Sequence, residues 1–332
     1  MKNLRKYLGL ILFLFLAGIM NSCMKDDLSK ADSEDTATVT LHINDSRSGG
    51  TSLVEAGEGI KTLRVIVLDA ENKVEFNYKQ SFGNETDPLT EKTITFLGMT
   101  TGEKKFYVVA NEESLGLNDA DYPAKSATVT NDLLDKVITD AGRSYFPKLK
   151  NEITNEITSL PITGYKEVEI TADTKNLTIE TYHAVAKIVF KVKNTSSEDI
   201  TLTGFSLGQF FADQTYLFPS ATGQLTGVNY AKFDGTVEDT FDAGAAEAVE
   251  YFTCYLYETP KDRKSYFTVK LLSDLGLEEK AVTISDYVVK RNTVINIVAT
   301  ISKETSVIVP YIDLEWQVSP WNSVTNNVPS FN

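Results

Sequence analysis

The sequence predicts an all-β chain with one minor helix, folded as two tandem β-sandwich domains, and three observations carry this expectation. Apolar and polar residues alternate with a period of two in one segment after another, the pattern of a strand with one buried face. Thr, Val, Ile, Tyr and Phe are abundant, and these side chains fit the pleated, half-buried surface of a sheet. Turn residues punctuate the chain at short intervals without a repeat of fixed period, which favours divergent sandwiches over a solenoid.

The chain opens with Lys2, Arg5 and Lys6, then the apolar run from Leu8 to Ala17, then small and polar residues up to Cys23. That order predicts a secretory signal peptide over residues 1–22. The run is shorter than the roughly 20 apolar residues of a spanning helix, and Met24-Lys25-Asp26-Asp27 ends it. Cys23 follows Met20-Asn21-Ser22, a loose match to a lipobox, and is the expected lipidation position. Each buried acyl methylene contributes about 0.8 kcal/mol, so a multiply acylated Cys23 would hold the chain on a membrane. Lys25-Asp26-Asp27 also resembles the short acidic signal that routes Bacteroidetes lipoproteins to the outer face of the outer membrane.

Residues 26–35 are polar and charged, as in a tether. Ala37, Val39, Leu41 and Ile43 then alternate with Thr38, Thr40, His42 and Asn44, which predicts a first strand followed by an exposed stretch at 45–50. Further strands are expected at 60–69, with Leu63, Val65 and Val67 on one face and Ile66 and Leu68 on the other, and at 73–81, 92–97 and 104–111. Leu133, Leu134, Val137 and Ile138 share one helical face between Asn131 as cap and Gly142 as stop, which predicts the helix. A strand pair near 162 and 168–170 closes this half, and the polar turn at 173–176 marks the boundary. The division is then 23–47 for tether and first strand, 48–175 for the first sandwich and 176–332 for the second. Strands of the second half are expected at 182–192, 200–207, 250–257, 266–272, 280–284, 294–302 and 312–318, with long loops holding a strand or two between 210 and 243.

Loss of Lys2, Arg5 and Lys6 with the leader takes the formal net charge from −14 to −17, which argues against nucleic acid or an anionic lipid surface as the main partner. The two cysteines are Cys23 and Cys254, so a lipidated Cys23 leaves no internal disulfide and the fold must stand on its core. Beyond residue 47, His183 and Cys254 are the only His and Cys, too few for a zinc site of four N or S ligands. His183 begins a strand and Cys254 sits within Tyr251-Phe-Thr-Cys-Tyr-Leu256, where packing roles are expected. The patterns of a phosphate loop, a zinc-protease helix and a serine-hydrolase elbow are missing from the sequence, and Asn118-Asp-Ala-Asp121 lacks calcium-loop spacing. No catalytic residue, metal or cofactor is expected.

Several short pieces in order carry a further reading: the leader, Thr38-Val-Thr-Leu-His-Ile43 followed by Arg47, Gly59-Ile-Lys-Thr-Leu-Arg-Val-Ile-Val-Leu68, Phe106-Tyr-Val-Val-Ala-Asn111, Tyr182-His-Ala-Val-Ala-Lys-Ile188, Lys290-Arg-Asn292, and Trp316 with Pro320-Trp321. Together they resemble the fimbrillins of Bacteroidales, lipoprotein precursors of the type V pilus, through most of the chain. The resemblance implies transthyretin-like sandwiches and an arginine-directed protease that cuts after the first strand, here between Arg47 and Ser48. Ser48-Gly49-Gly50 suits this, since small polar loop tips admit proteases.

Departure of the strand bearing Val39, Leu41 and Ile43 would uncover a groove of unpaired backbone and apolar pockets, open to a strand from another subunit. The candidate donor is C-terminal. Ile312, Leu314, Trp316 and Val318 alternate there with Asp313, Glu315 and Gln317, and Trp321, Val324 and Val328 follow. Either part of this segment is donated, or 312–318 belongs to its own sandwich and the tail caps it. The implied role is a structural subunit of a fimbria at the outer membrane and cell surface, supporting adhesion. Its partners would be other fimbrial subunits, the protease, and the outer membrane through the precursor's lipid. A fimbrial anchor that keeps its first strand and lipid, and a non-polymerising surface lipoprotein that binds glycan, are the alternatives.

Overall fold

The computed structural model describes residues 36–45, 59–82, 91–139, 159–218, 225–258, 269–273, 289–302 and 311–320. The first half supplies β1 (Thr36–Asp45), β2 (Thr62–Leu68), β3 (Val74–Ser81), β4 (Glu91–Thr100), β5 (Gly102–Ala110), the short β6 (Val137–Thr139), β7 (Ile162–Ile170) and β8 (Asn176–His183). Seven of these form a sheet in the order β3-β2-β5-β7-β8-β1-β4. β7 and β8 share only the register pairs Ile162↔His183 and Thr163↔Tyr182, so the sheet folds over at that corner into two facing layers. Gly164 makes the corner possible: a Cβ there would lie 2.8 Å from the Glu180 carbonyl oxygen and 2.8 Å from Thr181 Cγ2.

Between the layers Leu63, Val65 and Val67 of β2 and Phe106 and Val108 of β5 meet Val39, Leu41 and Ile43 of β1 and Ile94 and Phe96 of β4. The alternation read from the sequence is the cause, because period-two patterning sends every second side chain to one face. One expectation shifts. The boundary at 175 places residues 176–183 with the second half, yet β8 pairs with β7 and in parallel with β1, within the sheet of the first half.

The second half supplies β9 (Ala186–Asn194), β10 (Ile200–Ala212), β11 (Gln214–Tyr216), β12 (Tyr230–Gly235), β13 (Asp239–Phe241), β14 (Val249–Leu256), β15 (Val269–Ser273), β16 (Thr293–Ser302) and β17 (Tyr311–Pro320). One sheet runs β14-β9-β16-β17; the other runs β12-β10-β13 with β15 also on β10. Their shared core centres on Phe190, Phe205 and Phe252, whose rings stack at centroid distances of 4.9 and 3.7 Å. The expected strand at 280–284 lies outside the described residues.

The expected helix is not formed. Leu133–Asp135 make a single 3-10 turn, with Asp132 accepting from the Leu134 amide at 3.0 Å, and the chain then extends into β6. β6 pairs with β11 of the second half, and Leu133 and Leu134 pack on a cluster that both halves build, so tertiary pairing overrides the helical periodicity. That cluster joins Ile66, Leu68, Tyr107 and Val109, from the outer face of β2 and β5, to Ala212, Leu217, Phe218 and Tyr257.

Candidate functional site

β1 is an interior strand. It runs antiparallel to β4, with Val39 opposite Phe96 and Leu41 opposite Ile94, and parallel to β8, with Leu41 opposite Leu177 and Ile43 opposite Ile179. Val39, Leu41 and Ile43 are each 0% exposed. The other face carries Thr40, whose Oγ1 lies 3.3 Å from that of Thr95, and His42, between Thr93 at 3.5 Å and Asn176 at 3.4 Å. β4 ends the sheet beyond β1, so the backbone ladder that attaches β4 runs through β1 alone among the described residues. Burying three such apolar side chains at about 1.5 to 3 kcal/mol each gives roughly 5 to 9 kcal/mol.

The C-terminal candidates divide. Ile312, Leu314, Trp316 and Val318 lie in β17, the outermost strand of its own sheet, paired with β16 from Thr293↔Pro320 to Ser302↔Tyr311. Leu314 and Val318 are half-buried against the second core. Residues 312–318 are therefore seen in the own-sheet arrangement, one of the two left open by the sequence. Cys23, Arg47, Ser48, Trp321, Val324 and Val328 lie outside the described residues.

His183 and Cys254 sit where packing would put them. His183 is fully buried at the end of β8, and its amide donates to Asn292 Oδ1 at 3.3 Å. Cys254 is buried in β14, and burial pushes its thiol pKa up, away from the reactive thiolate. No cluster of side chains that could hold a metal occurs among the described residues.

A family model described as the major fimbrial subunit protein FimA matches residues 37–232, from β1 into β12. The chain belongs to the FimA family of fimbrial subunits. Its fold is similar to that of a fimbrilin from Porphyromonas gingivalis, at 13% identity over 87% of this chain and 98% of the other, with a TM-score of 0.52. It is also similar to the C-terminally truncated tip fimbrial protein Mfa3 of the same organism (13% identity, 86% of this chain and 100% of that one, TM-score 0.54). A candidate cell adhesion protein from Bacteroides eggerthii compares at 16% identity, 88% and 98% coverage, and a TM-score of 0.54. At such identities the likeness is one of fold. No curated protein matches the chain by sequence.

In this fimbrial subunit two side-chain networks brace the first sandwich, one beside β4 and one on the outer face of β2 and β3. Along the margin shared by β3 and β4, Glu75 accepts from the Thr100 amide at 2.6 Å and from its hydroxyl at 3.1 Å. Lys104 donates to Thr100 Oγ1 at 2.6 Å and pairs with Glu75 at 2.9 Å, its side chain 2% exposed. Phe96 of β4 packs on Phe76 and Tyr78 of β3 at centroid distances of 4.9 and 6.3 Å. The Lys92 ammonium stands 3.7 Å from the centre of the Phe82 ring, a cation–π contact.

On the outer face of β2, buried Arg64 donates to both oxygens of Glu112 at 2.7 and 2.9 Å, to Asn77 at 2.7 Å, and to Asp119. Lys79 pairs with Glu112 at 2.7 Å and Glu113 at 2.9 Å. Burial by itself would lower the Arg64 pKa, but its carboxylate partners outweigh that and raise it. Asn111, with φ at +57°, uses its whole amide: Oδ1 accepts from the Lys61 and Thr62 amides at 2.8 and 3.3 Å, and Nδ2 donates to the Gly59 and Leu160 carbonyls at 2.9 and 2.7 Å. A signal for the Arg64 network was present. A charged residue on the strand face shared by Ile66 and Leu68 must find partners if that face is covered.

Proposed function

We propose that this fimbrial subunit is exported as a lipoprotein with lipid on Cys23, is cut between Arg47 and Ser48 by an arginine-directed protease, and polymerises by donor-strand exchange. In the polymer the place of β1 is refilled by part of a neighbour's C-terminal segment, and the fimbria at the cell surface serves adhesion without catalysis. The precursor then comprises a signal peptide at 1–22, a tether and removable strand at 23–47, a first sandwich that extends to residue 183, and a second that begins at β9.

The observation that supports this reading best is the position of β1. It is fully buried on one face, bonded on both edges, and ends at Asp45, two residues before Arg47. A cut there would turn an intramolecular strand into a separate peptide, and the alternating pockets it fills would specify what replaces it. Apolar burial of roughly 5 to 9 kcal/mol would stabilise each joint before association entropy is subtracted, while main-chain hydrogen bonds would chiefly fix register.

The test is N-terminal sequencing and intact mass of protein sheared from cells. Polymers are expected to consist of chains that begin at Ser48, and Arg47→Ala is expected to leave a monomeric precursor that begins at a lipidated Cys23. Polymers whose chains still carry residues 36–45 would overturn the exchange model, and polymerisation of Arg47→Ala would remove the cleavage step.

A further inference from the structure

We infer, building on the donor-strand reading, that the side chains joining β3 to β4 keep the slot in shape while it is empty, so that β4 remains a wall against which an incoming strand can pair. β4 has eight register pairs with β1 and pairs with no other strand among the described residues. Once β1 is gone, the backbone ladder that positions β4 is gone too. What remains is the covalent link through the turn into β5, the packing of Ile94, Phe96 and Met99 in the first core, and the side-chain contacts with β3, with Phe82 just beyond it and with Lys104 of β5.

Those contacts are spaced along the strand. Lys92 covers the Phe82 ring, Phe96 packs on Phe76 and Tyr78, and Thr100 is held by Glu75 and Lys104. Positions 92, 96 and 100 span about 26 Å at roughly 3.3 Å per residue, close to the full length of the slot. An extra residue in β4 forms a bulge opposite the Ala37–Val39 step, and Gly98, with φ at +69°, lies within it.

The end at Thr100 is the firmest. Lys104 is a charge taken out of water, and Glu75 is the carboxylate that balances it. Glu75 also satisfies the Thr100 amide, so β4 is tied at its backbone by a group committed to a buried ion pair. The slot preserved in this way fits an extended segment of a second copy. That segment would run antiparallel to β4, place apolar side chains opposite Ile94 and Phe96, and carry a small residue opposite Met99, where Ala37 now sits.

The experiment uses full-length protein, wild type and the variants Glu75→Ala, Glu75→Gln and Tyr78→Ala, cut with an arginine-directed protease. Each is offered an excess of labelled peptide with the sequence of residues 36–45, and uptake is read by fluorescence anisotropy. Cut wild type is expected to take up the peptide, and cut Glu75→Ala to bind at least tenfold more weakly. Glu75→Gln, which keeps an acceptor for the Thr100 amide but not the charge facing Lys104, is expected to fall between. Tyr78 is 39% exposed, so Tyr78→Ala tests the middle contact with little cost to folding. Hydrogen exchange on the uncut proteins is expected to show equal protection of the β4 amides other than that of Thr100, which loses its Glu75 acceptor in Glu75→Ala, because β1 is still in place.

Equal uptake by cut wild type and both alanine variants would overturn the role of these contacts and leave strand exchange standing. Failure of cut wild type to take up the peptide would overturn the exchange reading itself.

Discussion

Leu41→Ala measures how firmly β1 is built into the subunit. Leu41 is 0% exposed, lies in register with Ile94 on one side and Leu177 on the other, and faces the β2–β5 layer across the core. The substitution removes three carbons, worth about 0.8 kcal/mol each in transfer, and leaves a cavity that walls of strand on both sides cannot close. The expected loss is about 3 to 4 kcal/mol. Urea unfolding of the uncut chain, followed by far-ultraviolet circular dichroism and extrapolated linearly, reads it, provided the slope is unchanged. Leu314→Ala, at a half-buried position on the outermost strand, is the control and is expected to lose about 1 to 2 kcal/mol. A loss below about 1 kcal/mol for Leu41→Ala would refute the placement of β1 in the core.

Gly164→Ala drives a methyl group into the Glu180 carbonyl and is expected to cost about 1 to 3 kcal/mol, measured as a fall in Tm. Asn111→Ala orphans the carbonyls of Gly59 and Leu160 and strains a left-handed residue, so a loss of roughly 3 kcal/mol or more is expected; Asn111→Gly should recover the strain but not the hydrogen bonds. Cys254 is expected to resist iodoacetamide in the native protein at neutral pH and to react in denaturant, as followed by mass. The Arg64 hydrogen bond holds the Asp119 carboxyl below the ordinary carboxylate range, and at Glu113 the bonds from Thr62 and Lys79 do the same against the opposing effect of burial. Groups with depressed native values contribute above the unfolded range near pH 4 and lose that contribution as pH falls through the native values. Tm should therefore drop more steeply between about pH 5 and 3 for wild type than for the Glu113→Gln, Asp119→Asn double variant.

The strands were legible where alternation was clean. In β1 the alternating face of Val39, Leu41 and Ile43 is buried in the first core, and the two faces read for β2 separate as expected, Leu63, Val65 and Val67 into that core and Ile66 and Leu68 into the cluster between the halves. What misled was the stretch Leu133 to Ile138, whose spacing fits a helix face but whose fate is decided by β11, some eighty residues away in sequence. The extent of the first sandwich escaped for a similar reason: a turn does form, at 171–174, but a turn does not say to which sheet the next strand returns. At the site, β1 and its apolar face were readable because they are local. The bracing by Glu75, Thr100 and Lys104 was not, since a strand order that brings β3 beside β4 across the open side of the sandwich leaves no trace in any one segment. Even so, Phe76 and Tyr78 alternate with Glu75, Asn77 and Lys79, and an aromatic face on a strand this polar signals a neighbour.

The enclosed position of β1 has a mechanical consequence. With β4 on one edge and β8 on the other, a pull along the strand axis loads both ladders in shear, and the bonds must yield together. A strand added to an open margin could instead be peeled away one pair at a time. A fibre jointed through such a channel would resist drag along its length at every subunit, and its tensile strength would be set by the cooperative rupture of a whole strand.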